Sequence, residues 1–147
     1  MTIVDIAGHG LIATGDGDLE AEYPARKWLR SSHPAVGMSS RPARMYVEVL
    51  RRFGGIAPRA LLGAQFVPGQ GNRTHINVGV STFGMFDADQ PTCPSVLWNQ
   101  PFTIGLPDEF ARAVASSLGK GPALPAGTLT IDRAGFDLVN SSEMIFG

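Results

Sequence analysis

Residues 23–73 carry eight arginines and Lys27 against a single acid, Glu48. A guanidinium is planar, permanently charged and forked to match phosphate oxygens, so an arginine-rich run of this kind suits phosphate recognition. Arg41, Arg44, Arg51, Arg52, Arg59 and Arg73 are the candidate nucleic-acid contacts. Arg51 and Arg52 are consecutive on a strand, so at least one of them faces away from the core. The competing expectation is that these arginines are dispersed over solvated faces. They could equally be neutralised by residues 1–22, which hold five acids and no base. The remainder, residues 74–147, is acidic, and the chain as a whole carries a net charge of -1.

Candidate catalytic groups are sparse. His75 falls on the polar side of an alternating stretch, and it would form a catalytic cluster with Asp132 or Asp137 only if the fold brought them together. His9 sits in Gly8-His9-Gly10, where two glycines permit close backbone approach. His33, before Pro34, carries no partner signal. No histidine or paired-acid spacing suits a metal, and Asp16-Gly17-Asp18 lacks the glutamate at the twelfth position that a calcium loop needs. Cys93 has no adjacent base to lower its pKa, so it reads as inert rather than nucleophilic. Trp28, Tyr46, Trp98 and Phe136 are candidate stacking aromatics for a base or planar ligand, with ordinary packing as the alternative. No Gly-x-x-x-x-Gly-Lys-(Ser/Thr) loop is present, which excludes nucleotide hydrolysis of the P-loop kind. Neither a cofactor nor a metal is expected.

The elements that must hold these groups are legible in part. Residues 2–14 suggest a hairpin or edge strand around the Gly-His-Gly turn, and residues 24–31 suggest a short helix with Trp28 and Leu29 inward. Residues 32–42 read as a loop. The cleanest strand starts at Met45, with Met45, Val47 and Val49 on one face and Tyr46, Glu48 and Leu50 on the other. A helical or irregular excursion is expected over residues 58–65, then a strand over residues 74–81 with Ile76, Val78 and Val80 inward and His75, Asn77 and Ser81 outward. A third strand is expected over residues 94–104, at an edge or bent because of Pro101. Residues 107–118 form the best helix: Pro107 suits its first turn, Asp108 and Glu109 complement the dipole, and Phe110, Val114 and Leu118 make one apolar stripe. A fourth strand follows over residues 128–134. Asn140-Ser141-Ser142-Glu143 resembles a capping box opening a last helix that runs for scarcely one turn.

Length and composition bound the rest. At 147 residues, 44% hydrophobic, the chain is sized for one domain. Eighteen glycines and eleven prolines favour many turns and short elements over a helical bundle. No apolar run approaches the roughly 18 residues of a spanning helix. The N-terminus lacks the basic and apolar regions of a signal peptide. With Cys93 the lone cysteine, no internal disulfide is available. A cytoplasmic protein without membrane contact is the expectation.

Two stretches carry a family resemblance. Gly105-Leu106-Pro107-Asp108-Glu109-Phe110, followed by Ala113-Val114, resembles the opening of the main helix in domain IV of translation elongation factor G. Residues 136–146, Phe-Asp-Leu-Val-Asn-Ser-Ser-Glu-Met-Ile-Phe, resemble the turn of its last strand into its last helix. The resemblance covers residues 44–146. It implies an α+β, two-layer β-β-β-α-β sandwich with a left-handed βαβ crossover, the ribosomal-protein-S5-domain-2-like fold. The expected organisation is a single domain, 1–147, with an N-terminal extension (1–43) packed on a domain IV-like body (44–147). Where the family carries a histidine at the tip that meets RNA this chain has Asp137, and an acid there repels phosphates.

Three functional expectations follow. The first is a non-GTPase protein that binds RNA or a ribosome-associated surface through the arginines. The second is a small-molecule-binding protein or small enzyme, with a pocket on the open sheet face lined by His75, Asp132 and the aromatics. The third is a homo-oligomer subunit that uses the edge left by the shortened last helix.

Overall fold

The structure, a computed structural model, describes residues 2–6, 10–16, 21–37, 41–51, 59–81, 92–98, 101–121 and 123–137. Its elements are β1 (Thr2–Ile6), β2 (Gly10–Asp16), β3 (Ala25–Pro34), β4 (Ala43–Arg51), β5 (Arg59–Pro68), β6 (Arg73–Ser81), β7 (Thr92–Cys93), β8 (Phe102–Ile104), α1 (Asp108–Lys120) and β9 (Gly127–Phe136). The strands form one mixed sheet in the order β1-β2-β4-β5-β9-β6-β3, with β8 also on β9 and β7 on β8. Among the described residues only the β6–β9 pairing is parallel.

This architecture corrects the expected fold class. Strand accounts for 62% and helix for 12%, with one helix among the described residues, so the fold is predominantly β rather than a balanced α+β sandwich. The difference comes from three segments. Residues 25–34 are a strand, not a helix: Leu29, Ser31 and His33 are half-buried while Trp28, Arg30, Ser32 and Pro34 are exposed, a period of two. The expected excursion at residues 58–65 is the central strand β5. It is buried on both faces over its first half, so it shows no alternation that would announce a strand. Residues before 44 enter the sheet itself: β1 and β2 extend one edge beyond β4, and β3 closes the other beside β6. Of the third expected strand, over residues 94–104, Phe102–Ile104 is strand as β8 and residues 94–98 are not, while the short β7 precedes the expected range.

Elsewhere the pattern reading matches the structure. β1 and β2 are an antiparallel pair. β6 buries Ile76, Val78 and Val80 and exposes His75, although Ser81 is buried rather than outward. α1 starts after Pro107 with Asp108 and Glu109 in its first turn and Lys120 in its last, and it buries Phe110, Ala111 and Val114. Burying side chains of this size is worth about 1.5–3 kcal/mol each for phenylalanine and valine. They meet Ile76 and Val78 from β6, Leu129 and Ile131 from β9, and Phe136, whose ring lies 6.0 Å from that of Phe110. Asp108 fixes the start of the helix to β3 through Lys27 at 2.7 Å, and it also meets Arg112 one turn on at 2.8 Å.

Two glycines are required by close approach. A Cβ at Gly63 would lie 2.8 Å from that of Arg133, its neighbour across the sheet. Gly127 opens β9 at φ +149°, and a Cβ there would run into the Val67 carbonyl.

Candidate nucleic-acid interface

The register gives the sheet two unlike faces. One, under α1, is apolar: Ile76, Val78, Leu129, Ile131, Ala64 and Phe66 share it. The other is polar where β3, β6, β9, β5 and β4 run side by side. There Arg30 on β3 pairs with Asn77 on β6, Asn77 with Thr130 on β9, Thr130 with Gln65 on β5, and Gln65 with Arg44 on β4. This is one cross-strand row, five strands wide, with a guanidinium at each end. At the usual strand spacing it spans about 19 Å. Arg30 and Arg44 are exposed, and the three residues between them are half-buried by their neighbours in the sheet. The Arg44 guanidinium donates to Gln65 Oε1 at 3.4 Å, along the row.

A second row lies beside the first: Ser32, His75, Thr128 and Val67. At its β3 end Arg73 donates from Nε to Ser32 Oγ and from a terminal nitrogen to the Ser32 carbonyl, both at 3.0 Å, so its planar head is held while it stays exposed. On the far side of the first row stands Trp28, 37% exposed, its ring packed on Gly79. Asp132, beyond the rows on β9, accepts from Arg133 Nε at 3.3 Å.

At its other end this face is covered. Tyr23 donates its hydroxyl to the Gly79 carbonyl at 2.7 Å, and Ala134 donates its N–H to Ala21. Burial, with Asp132 as the nearby negative charge, pushes the Tyr23 phenol well above its ordinary range. Beyond it lies a polar cluster built around two buried charges, Glu48 and Arg59. The Glu48 carboxylate, 1% exposed, accepts from Ser95 Oγ at 2.5 Å and from the N–H groups of Val96 and Leu97 at 3.0 and 3.1 Å. Arg59, equally buried, donates to Asp137 at 2.7 Å and to the Pro101 carbonyl at 2.7 Å. Its guanidinium carbon lies 4.2 Å from the Phe102 ring centre and 4.9 Å from that of Trp98. Cys93 is buried in this cluster, where desolvation and then the charge of Glu48 push its thiol up to about 11 against a lowering by Arg59. A thiol so protonated at neutral pH is a poor nucleophile.

The six arginines named from the sequence are therefore divided. Arg44 and Arg73, with the exposed Arg41 three residues before Arg44, belong to the end of the sheet where β4 and β6 begin. Arg59 and the backbone of Arg51 belong to the opposite end, and Arg59 is withdrawn into the buried cluster. Arg52 and His9 lie outside the described residues, as does the motif at residues 138–146. Asp137 pairs with Arg59, so the expected bare acid is a compensated charge.

The proposed histidine–aspartate pocket does not form. His75 is level with Thr128, and Asp132 is four residues further along β9, about 13 Å away at 3.3 Å per residue; Asp137 is further still. His33 bonds Ser31 Oγ through Nε2 at 2.9 Å. Among the aromatics, Phe136 is fully buried, Tyr46 packs over Gly15, and Trp98 lies against Arg59. Of the four, Trp28 and Tyr46 each lie two residues along their strands from an arginine of the first row, and Trp28 is the exposed one of the two. No group of three or more metal-ligating side chains occurs among the described residues.

Sequence reasoning missed Arg30, Asn77, Gln65 and Thr130 as partners in one row. The alternation of exposed Trp28, Arg30 and Ser32 with half-buried Leu29, Ser31 and His33 was the available signal for Arg30. Comparison of the chain with protein-family models, curated proteins and solved structures finds no match. No helix of the described residues is long and apolar enough to cross a membrane.

Proposed function

We propose that this chain binds single-stranded RNA on the open polar face of its sheet. The observation that carries the reading is the row from Arg30 to Arg44, closed at both ends by guanidinium groups and flanked by the exposed ring of Trp28. Single strands splay their bases, which stack on aromatic rings while arginines meet the phosphates, and a flat sheet face presents both kinds of group at once. Asn77, Gln65 and Thr130 add donors and acceptors between the charges. Arg73, already oriented by Ser32, supplies a third cation beside His75. The likeness of residues 105–114 to domain IV of elongation factor G, a domain that works against RNA, agrees with this reading. No phosphate-binding loop accompanies it in the sequence, so nucleotide hydrolysis of the P-loop kind is no part of this reading.

The test is fluorescence anisotropy of an unstructured, labelled RNA 12-mer at about 50 mM salt, with a duplex of the same sequence for comparison. Saturable binding that prefers the single strand and falls in the Arg30→Gln, Arg44→Gln double variant supports the proposal. Absence of binding at that salt refutes it.

A further inference from the structure

A cleft of about 560 Å³ opens on the other face of the sheet, between α1 and the strands that run out past it to the β1 edge. Its walls are apolar: Met45 and Val47 from β4, Leu62 from β5, Ile131 from β9, and Val114 and Leu118 from α1. The helix packs over β6 and β3, whereas the sheet continues through β5, β4, β2 and β1, so a trough is left beside the helix. The volume is that of roughly nineteen waters and falls in the range of small-molecule pockets, which are typically apolar with a few polar groups at fixed points.

The polar groups are gathered at the rim. Thr14 and Asp16 end β2, Thr2 begins β1 opposite Thr14, and Ser117 faces them from α1. Asp16 is the one carboxylate among the described lining residues, and no lysine, arginine or histidine is among them. Its side is exposed at the mouth, where an ammonium head can reach it while an apolar tail lies against Leu62 and Ile131. A carboxylate head would instead meet Asp16 with no compensating cation among the described lining residues.

We infer that this cleft binds an elongated apolar molecule bearing a cationic amine head, with the tail between α1 and the sheet and the head at Asp16. The site shares no residue with the Arg30 to Arg44 row and stands or falls apart from RNA binding. Isothermal titration of the whole chain with dodecylamine, dodecanol and laurate, each below its aggregation concentration, is the test. The expected order is amine, then alcohol, then laurate. The amine's advantage over the alcohol is about two- to fivefold, as befits one exposed ion pair. Asp16→Asn, at an exposed rim position, should leave the alcohol unchanged and erase that advantage. Leu62→Phe should weaken all three by filling the trough, and circular dichroism checks that it folds. Equal uptake of amine and laurate by the parent chain overturns the inference, as does amine binding that survives both substitutions. Concentration-dependent self-association that Leu62→Phe abolishes, with no uptake of any of the three, also overturns it and assigns the cleft to a second copy of the chain.

Discussion

Replacing Arg30 and Arg44 by glutamine removes the cation at each end of the polar row while keeping an amide of similar reach. Both side chains are exposed, so folding stability should move by no more than about 0.5 kcal/mol. The effect on RNA binding follows from counterion release. Each phosphate neutralised on a single strand contributes about -0.7 to the slope of log K against log salt, so Arg30, Arg44 and Arg73 together predict a slope near -2.1. Raising salt from about 50 to about 200 mM then weakens the parent roughly 18-fold. With Arg73 alone remaining, the slope falls to about -0.7 and the same change costs roughly 2.6-fold. Anisotropy titrations at four salt concentrations measure both slopes. A double variant that keeps the parental slope would show that the row does not meet phosphate, whatever its absolute affinity.

Other outcomes follow from the same structure. Trp28→Ala in a Trp98→Phe background should weaken single-strand binding by about 1–3 kcal/mol, the value of one stacked base, with the salt slope unchanged. Glu48→Ala strips the acceptor from Ser95, Val96 and Leu97 and should cost about 3 kcal/mol in denaturant unfolding without touching RNA affinity. Cys93 has its folded pKa raised from 9.0 to about 11, so its contribution is whole below pH 9 and is lost as pH rises to 11. Between pH 8 and pH 11 that loss is about 2 kcal/mol, and it should be missing from a Cys93→Val variant unfolded at the same two pH values. Gly63→Ala should cost about 1–3 kcal/mol by thermal unfolding, because the new methyl group meets the backbone-fixed Cβ of Arg133.

What the sequence revealed and what it concealed have physical causes. α1 was legible because its stripe of Phe110 and Val114, its acidic first turn and its initial proline all give the same answer. β4 and β6 were legible because each has a face that is less buried than the other, which leaves an alternation to read. β5 was concealed by burial on both faces: Ala60, Leu61, Ala64 and Phe66 give no period. β3 was misread because Trp28 and Leu29 together imitate a helix face, whereas the cross-strand partners Gly79 and Val78 place them on opposite sides of the sheet. Arginine enrichment pointed to a basic surface, but composition cannot separate an exposed guanidinium such as Arg30 from one stacked between Phe102 and Trp98, such as Arg59. That distinction depends on rings 39 and 43 positions further along the chain than the arginine. The polar row depends on register across five strands, which no local pattern encodes.

The most direct measurement is a nitrogen–proton NMR titration of the labelled chain with an unstructured RNA 12-mer. Binding on the open face should shift the amides of Arg30, Ser32, His75, Asn77, Thr128, Thr130 and Gln65 together, while those of Val114 and Leu118 on α1 stay in place. Shifts confined to α1 and the β1–β2 edge, or no shifts at saturating RNA, would contradict the assignment of this face.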